Sequence, residues 1–337
     1  MRLPLGKVPP HLLDRAVFKY LGAERDDVVF GPSRGEDAAI VKVGRDLLAL
    51  HCDPISGAYS RIGWIAMNIA TNDIATRGVR PRWAVSCILL PEGSDDALLE
   101  SICRDMDGAA KELGVGIVGG HSEVTPGLNH PIVIIFPVGV AEKGKYVTCS
   151  GAKPGGKIVL TKSVGVEGTA ILASDRAEPL TEEFGEGFVE RCRSFFGKLS
   201  VMREALLAFE FGEVQAMHDP TEGGLAGGLN ELADAAKVGF RVYENRIPIE
   251  PETEKICHFF EIDPLRLISS GSLIIVADSE SVEGISGRLR DARIHSSIIG
   301  EIVEGGNRTI VRKNGEEEAL PMPLSDELWR ALERKGG

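Results

Sequence analysis

No apolar run in this sequence is long enough to cross a bilayer. The longest, residues 131–141, holds two prolines and falls far short of the ~20 residues that a spanning helix needs. The opening stretch MRLPLGKVPPHLLDR lacks the apolar core of a secretory signal, so a soluble, cytoplasmic protein is expected. Positive charge is also scarce: 38 Lys and Arg face 50 Asp and Glu, a formal charge of −12. Such a surface repels phosphate backbones and anionic lipid, so nucleic acid and membrane surfaces are not expected partners. Any bound phosphate must be met locally, by backbone N–H groups, a few placed cations or a metal. Cysteines at ligand spacing are missing too. The six present (Cys52, Cys87, Cys103, Cys149, Cys192, Cys257) include no CxxC pair, which reads as reduced, mostly buried thiols and leaves zinc without a ligand set. No G-x-S-x-G nucleophile elbow occurs.

Glycine is what the sequence has in excess: 40 of 337 residues, against an average near ~7%. The glycines cluster as doublets (119–120, 155–156, 223–224, 227–228), which favours tight turns and close backbone approaches over a disordered linker. Hydrophobic residues make up 43%, ample for two cores at ~100–200 residues per domain. The patterns predict a helix over residues 10–21 and a hairpin of 38–43 with 46–52 turning at Gly44-Arg45. A helix over 60–76, a strand over 83–90 and a helix over 95–113, capped by Ser94 and stopped by Gly114, come next. Strands over 115–118 and 132–140 close the first half. After Gly156 the alternation restarts, with strands at 157–161, 214–217 and 239–243 and helices near Thr169, over 200–209 and over 222–237. The expected organisation is α/β, with a first domain over residues 1–150 and a second over 151–337.

Two motif matches fail on context. Residues 114–119 fit G-x-G-x-x-G, but they follow a helix and run through a strand, whereas the dinucleotide fingerprint follows a strand and opens a helix. Residues 151–157 resemble the start of a phosphate-binding loop, but Ile158 stands where a Ser or Thr is needed and a strand follows. A nucleotide would have to be bound by neither common device.

The acids that need explaining sit at strand ends and on apolar stripes. Asp37 precedes one hairpin strand and Asp53 follows the other, so the two carboxylates are expected to be neighbours, a repulsion that a divalent cation would relieve. Asp73 lies at 69+4 and 62+11, on the stripe of Ile62, Ile65, Ala66 and Ile69; it reads either as a polar helix end near Gly78 or as a ligand, with the Asn72 amide beside it. Gly119, Gly120 and His121 are expected to leave a buried strand together with Ser122 and Glu123. Met217-His218-Asp219 repeats that device before a glycine-rich helix that Asp219 or Thr221 can cap. Scattered carboxylates with glycine-rich turns suggest oxygen ligands for Mg²⁺, which bridges carboxylates to substrate phosphates.

The segments GEDAAI (35–40), HCDPISG (51–57), NDIATRGVRP (72–81), GGHSEVTPG (119–127), GVEGTA (165–170) and HDPTEGGLAGGLNELA (218–233) together resemble the AIR synthase (PurM)-like superfamily, in order and spacing across residues 1–320. Within it the sequence looks most like the hydrogenase maturation protein HypE and AIR synthase-related proteins. The resemblance implies a two-domain α/β (α+β) fold whose N-terminal sheet forms a barrel across a homodimer and whose C-terminal domain is an α/β sandwich. It implies ATP and Mg²⁺ as cofactors, a cleft between the domains, and activation of a small-molecule or protein-delivered substrate by phosphoryl transfer. Position by position, Asp37, Asp53, Asp73 and Asp219 match the metal-holding acids. Gly119, Gly120 and His121 match the loop at the phosphates, and Lys162 a further phosphate contact; Asp73 and His121 are the expected catalytic residues, with Asn72 at the nucleotide. HypE carries a C-terminal cysteine, whereas the last cysteine here is Cys257, and residues 31–35 hold neither the Cys nor the Lys of selenophosphate synthetase. The expected function is therefore an ATP- and Mg-dependent activating enzyme with an unassigned acceptor. The alternatives are a catalytically silent nucleotide-binding scaffold and a metal-dependent hydrolase.

Overall fold

The computed structural model of the chain describes residues 3, 6–8 and 10–333. In chain order its first elements are α1 (Pro10–Ala16), β1 (Val28–Phe30), β2 (Ala39–Val43), β3 (Asp46–Leu50), β4 (Asp53–Ile55), α2 (Ile62–Ala75), β5 (Pro81–Leu90), α3 (Asp96–Leu113), β6 (Gly116–Val124) and β7 (Ile132–Ala141). Then come β8 (Lys157–Thr161), α4 (Val166–Asp175), α5 (Ala177–Phe184), α6 (Glu186–Arg193), α7 (Met202–Phe211), β9 (Val214–His218), α8 (Gly224–Ala236) and β10 (Gly239–Tyr243). The chain continues through α9 (Pro251–Phe260), β11 (Ile274–Ala277), α10 (Val282–Asp291), β12 (Ser296–Val303), β13 (Arg308–Val311), β14 (Glu317–Ala319) and α11 (Glu327–Glu333). Among the described residues no helix is long and apolar enough to cross a membrane.

The contacts form two compact units. The first holds residues 27–31 and 37–146; the second holds the described residues up to 26, residues 32–36 and those from 147 onward. Lys7 shows why the N-terminal stretch groups with the second unit. Its backbone N–H donates to Glu222 Oε2 (2.7 Å), and its ammonium donates to Thr221 Oγ1 (2.9 Å) and Glu231 Oε1 (3.2 Å). Glu36 joins the same unit by accepting the backbone N–H groups of Cys149 (3.0 Å) and Ser150 (2.9 Å).

In the first unit one sheet runs in the order β1-β2-β3-β7-β5-β6, with β4 paired to β7. The hairpin is the one the sequence predicts: Val43 pairs with Asp46 and Ala39 with Leu50, and Gly44 turns the chain at a φ of 62°. α2 and α3 pack together, and Gly63 makes this possible, since a Cβ there would stand 2.3 Å from the Ile102 carbonyl oxygen. Alternation on β5 buries Ala84, Ser86 and Ile88 on one face and leaves Trp83 and Val85 on the other; on β7, Val133 and Ile135 are buried and Phe136 is exposed. The sheet thus has one covered face and one open apolar face.

Three local expectations fail here. Asp95, not Ser94, caps α3, because its carboxylate accepts the Leu98 N–H at 2.9 Å while the Ser94 hydroxyl turns back to the Pro91 carbonyl at 2.7 Å. The first helix stops at Ala16 instead of Leu21. The strand expected to end at Val118 runs on to Val124, because parallel pairing with β5 continues through both glycines as far as Leu90↔Val124.

The second unit has its own sheet, ordered β14-β13-β10-β12-β8-β11-β9. Ile158, Leu160, Phe240, Val242, Ile274, Val276 and Ile299 from its strands meet Leu225, Leu229 and Leu232 of α8 in one core. Two helices the sequence reading left unassigned, α5 and α6, fill residues 177–193.

Candidate functional site

In the first unit the candidate side chains gather where the hairpin returns to the sheet. β3 leaves β7 at Leu50↔Val138, and β4 rejoins it at Asp53↔Ile135. His51 and Asp53 are two residues apart on this extended connection, a spacing that carries both side chains to one side of the chain. Asp73 meets them from α2. One ligand atom each from His51, Asp53 and Asp73 lies within 4.8 Å of the other two, and His51 Nε2 stands 3.0 Å from Asp73 Oδ2. A carboxylate oxygen of Asp37 also lies within 4.8 Å of one from Asp73.

Asp73 is 6% exposed, but not because it shares a stripe with Ile62 and Ile69. All of α2 except Trp64 is buried, so the helix buries every face it presents. Nor does Asp73 act as a polar helix end. That role falls to Thr76, whose hydroxyl donates to the Asp73 carbonyl (2.9 Å) and to Asp37 Oδ2 (3.1 Å). Asn72, beside it, is wholly buried. Arg77 was passed over in the sequence, although it lies inside the NDIATRGVRP segment. Its side chain has no exposed surface and brings Nη2 to 3.9 Å from Asp37 Oδ2. Three carboxylates, one imidazole and one guanidinium are therefore linked through Asp73 and Asp37 at a half-buried corner, and the donor set of oxygens with one nitrogen fits a divalent cation.

Gly119, Gly120 and His121 are not a loop at the end of a buried strand. They lie within β6, at the edge of the sheet and exposed along its whole length. Gly120 is required where it stands, since a Cβ would meet the Ser86 carbonyl oxygen at 2.4 Å. His121 places Nε2 2.9 Å from Glu123 Oε2, and that contact, with the Thr125 hydroxyl, holds the Glu123 carboxyl below its ordinary range.

In the second unit Asp219 follows β9 and is 1% exposed. The preceding residue His218, also buried, stands with Nε2 3.0 Å from Glu231 Oε2. The turn after Asp219 differs from expectation. Neither Asp219 nor Thr221 caps α8; the N–H of Gly223 is received by Asp326 Oδ2, 2.6 Å away, from a segment about 100 residues further on. The glycines admit the chain's own backbone: a Cβ on Gly224 would meet the Leu267 carbonyl oxygen at 2.5 Å, and one on Gly228 would meet Pro220 at 2.8 Å.

Asp326 also accepts the N–H groups of Leu328 (2.7 Å) and Ile268 (3.2 Å), yet burial outweighs these bonds and pushes its carboxyl up to about 7. The folded chain thus holds a proton that the unfolded chain releases near pH 4. This contribution to stability is complete below pH 4 and is lost as pH rises through 7. Urea unfolding should therefore show that the advantage of the wild type over Asp326→Asn is greater at pH 5 than at pH 8, by a margin on the order of 3 kcal/mol. A pH-independent difference would contradict the assignment.

Lys162 is the clearest correction. It cannot serve a phosphate, because its ammonium already donates to the carbonyls of Lys198 (2.8 Å), Ser200 (2.6 Å) and Gly271 (2.8 Å) and pairs with Glu204 at 2.7 Å. Burial draws its pKa down, against the upward pull of Glu204. Cys257 and Cys192 are buried thiols whose ionisation burial opposes, Cys192 being pushed up to about 12, so neither is a ready nucleophile.

Residues 35–141 match the AIR synthase related protein N-terminal domain, and residues 153–313 match the AIR synthase related protein C-terminal domain. The chain is 32% identical to the carbamoyl dehydratase HypE of Azotobacter vinelandii, over 79% of this chain and 78% of that one. Among solved structures, HypE in complex with ATP is 25% identical with a TM-score of 0.72, covering 97% of this chain and 98% of its own. HypE from a HypE–HypF complex is 25% identical with a TM-score of 0.76, covering 92% and 99%.

Proposed function

The chain belongs to the AIR synthase related family, and from that membership we propose that it is a HypE-like activating enzyme that binds ATP with Mg²⁺ and transfers a phosphoryl group to an acceptor. The observation that carries the proposal is the convergence of His51, Asp53 and the buried Asp73, with Asp37 at Asp73, on a half-buried corner of the first unit. The HypE structure holding ATP supports the choice of nucleotide.

In this reading Asp37, Asp53 and Asp73 hold the cation in the first unit; Asp219 of the second unit is proposed as a metal-holding acid by the resemblance to the family. A bound divalent ion supplies charge neutralisation on the triphosphate and fixes its oxygens. The chain's own residues do the rest. Arg77 and Thr76 hold the Asp37 carboxylate in place, whereas Asn72, expected at the nucleotide, has no exposed surface to meet one. His121 stands at the exposed sheet edge, where an incoming acceptor or phosphate can be positioned; Gly119 and Gly120 keep that edge without side chains. The acceptor is a small molecule or one delivered by a partner protein, a possibility that the HypE–HypF assembly supports.

A second copy of the chain is proposed to cover the open sheet face. Trp83, Val85 and Phe136 are each 42% exposed on it, and β6 is a long edge strand with Val118 and Val124 also exposed.

Isothermal titration tests the central claim. ATP should bind about once per chain in the presence of Mg²⁺ and at least ~10-fold more weakly when the cation is chelated. ATP binding indifferent to chelation, or no binding at all, would overturn the reading.

A further inference from the structure

We propose that His51 is a cation ligand beside Asp53 and Asp73, so that this site binds divalent ions of the manganese and cobalt class more tightly than magnesium. The inference rests on the reading that the first unit holds a divalent cation, and it goes further by naming the kind of ion that this chain's donors select.

The argument begins with the chain path. The backbone between Leu50 and Asp53 bridges two separate pairings with β7, and the His51 N–H donates to the Pro137 carbonyl at 3.4 Å, which fixes the residue at the start of the connection. From there the imidazole reaches the same corner as the Asp53 carboxylate. Adjacent ligands of a six-coordinate ion with ~2.1 Å bonds stand ~3 Å apart. The separation of His51 Nε2 from Asp73 Oδ2 is 3.0 Å, and the Asp53 carboxylate closes the group within 4.8 Å.

Donor chemistry then decides the ion. Magnesium takes oxygen ligands and keeps its waters, so a neutral nitrogen adds little to its affinity. Affinity for nitrogen-containing sites rises from manganese through iron and cobalt to nickel, and imidazole is a ligand those ions accept readily. Exchanging one oxygen ligand for His51 Nε2 therefore moves preference away from magnesium, while the surrounding carboxylates keep the site open to it at higher concentration.

The test uses the full-length protein with Mn²⁺ or Mg²⁺ alone and no nucleotide. Electron paramagnetic resonance counts bound Mn²⁺, competition gives the magnesium affinity, and pulsed measurements detect a directly bonded ¹⁴N nucleus. The expected result is Mn²⁺ binding at least ~10-fold tighter than Mg²⁺, with ¹⁴N coupling present. His51→Gln should abolish the coupling and weaken Mn²⁺ about tenfold, while Mg²⁺ affinity changes by less than about twofold. Bound Mn²⁺ without nitrogen coupling, or coupling that persists in the variant, shows His51 to be only a hydrogen-bond partner of Asp73 and overturns the inference while leaving ATP and Mg²⁺ binding intact. Equal weakening of both ions overturns it as well. Absence of any divalent binding in the wild type sinks the inference together with the reading beneath it. The presence or absence of ¹⁴N coupling in the wild type decides the matter even if the variant does not fold.

Discussion

Asp73→Asn should lower ATP-dependent turnover by roughly a hundredfold or more while leaving a folded protein. The substitution preserves volume inside a helix that is buried nearly all round, so packing against α3 and the sheet is unchanged. What it removes is, among the described residues, the carboxylate that reaches both His51 and Asp53 on one side and Asp37 on the other. Of the three acids proposed to hold the cation in this unit, Asp73 is therefore the one whose loss affects the others together. Binding of a cation to the wild type should raise its stability by ~2.7 kcal/mol at a hundred times the dissociation constant, and that gain should nearly vanish in the variant. Thermal melts with and without the divalent ion check this, and they separate a metal role from a folding role. A variant that melts normally, keeps its metal-dependent gain and turns over at the wild-type rate would remove the first unit's site from the proposal.

Much of this site can be read in the sequence, and what cannot be read has a common cause. Asp37, Asp53 and Asp73 stood out because a carboxylate at a strand end or within an apolar helix breaks a local pattern, and local patterns are what a sequence displays. His51 and Arg77 break none. A histidine after an apolar strand and an arginine at a helix end are both ordinary, and their importance appears only once folding brings them to Asp73 and Asp37. The glycine doublet at 119–120 misled for a related reason. Glycine weakens a strand on average, yet here the partner strand β5 comes so close at Ser86 that only glycine fits at position 120, while position 119 faces open space. In the second unit, the N–H of Gly223 at the start of α8 is met by Asp326 across 103 residues, so no nearby capping pattern could reveal it. The fold of each unit was legible because strand alternation and helix stops are short-range.

Lys162 shows how far a sequence-level assignment can be displaced, and Lys162→Met is expected to destabilise the protein by ~3–5 kcal/mol. The residue follows β8 with a φ of 55°, a conformation that methionine would share, so the comparison is free of a change in backbone preference. Methionine keeps most of the stem's volume and removes only the ammonium. Without it, Glu204, whose side chain is 3% exposed, becomes a buried carboxylate that has lost its cation, and the carbonyls of Lys198, Ser200 and Gly271 lose their shared donor. These carbonyls belong to two separate segments, the turn before α7 and the loop before β11, so the ammonium ties distant stretches of chain to one point. Replacing Glu204 by Gln in the Lys162→Met background should recover part of the loss, because the remaining penalty is then that of a polar group and not of a charge. A double-mutant cycle measured by urea denaturation gives this coupling directly. Where the variant remains folded, its affinity for ATP should match the wild type. A selective loss of ATP binding at unchanged stability would instead return Lys162 to the phosphates and contradict the cage of oxygens that holds it.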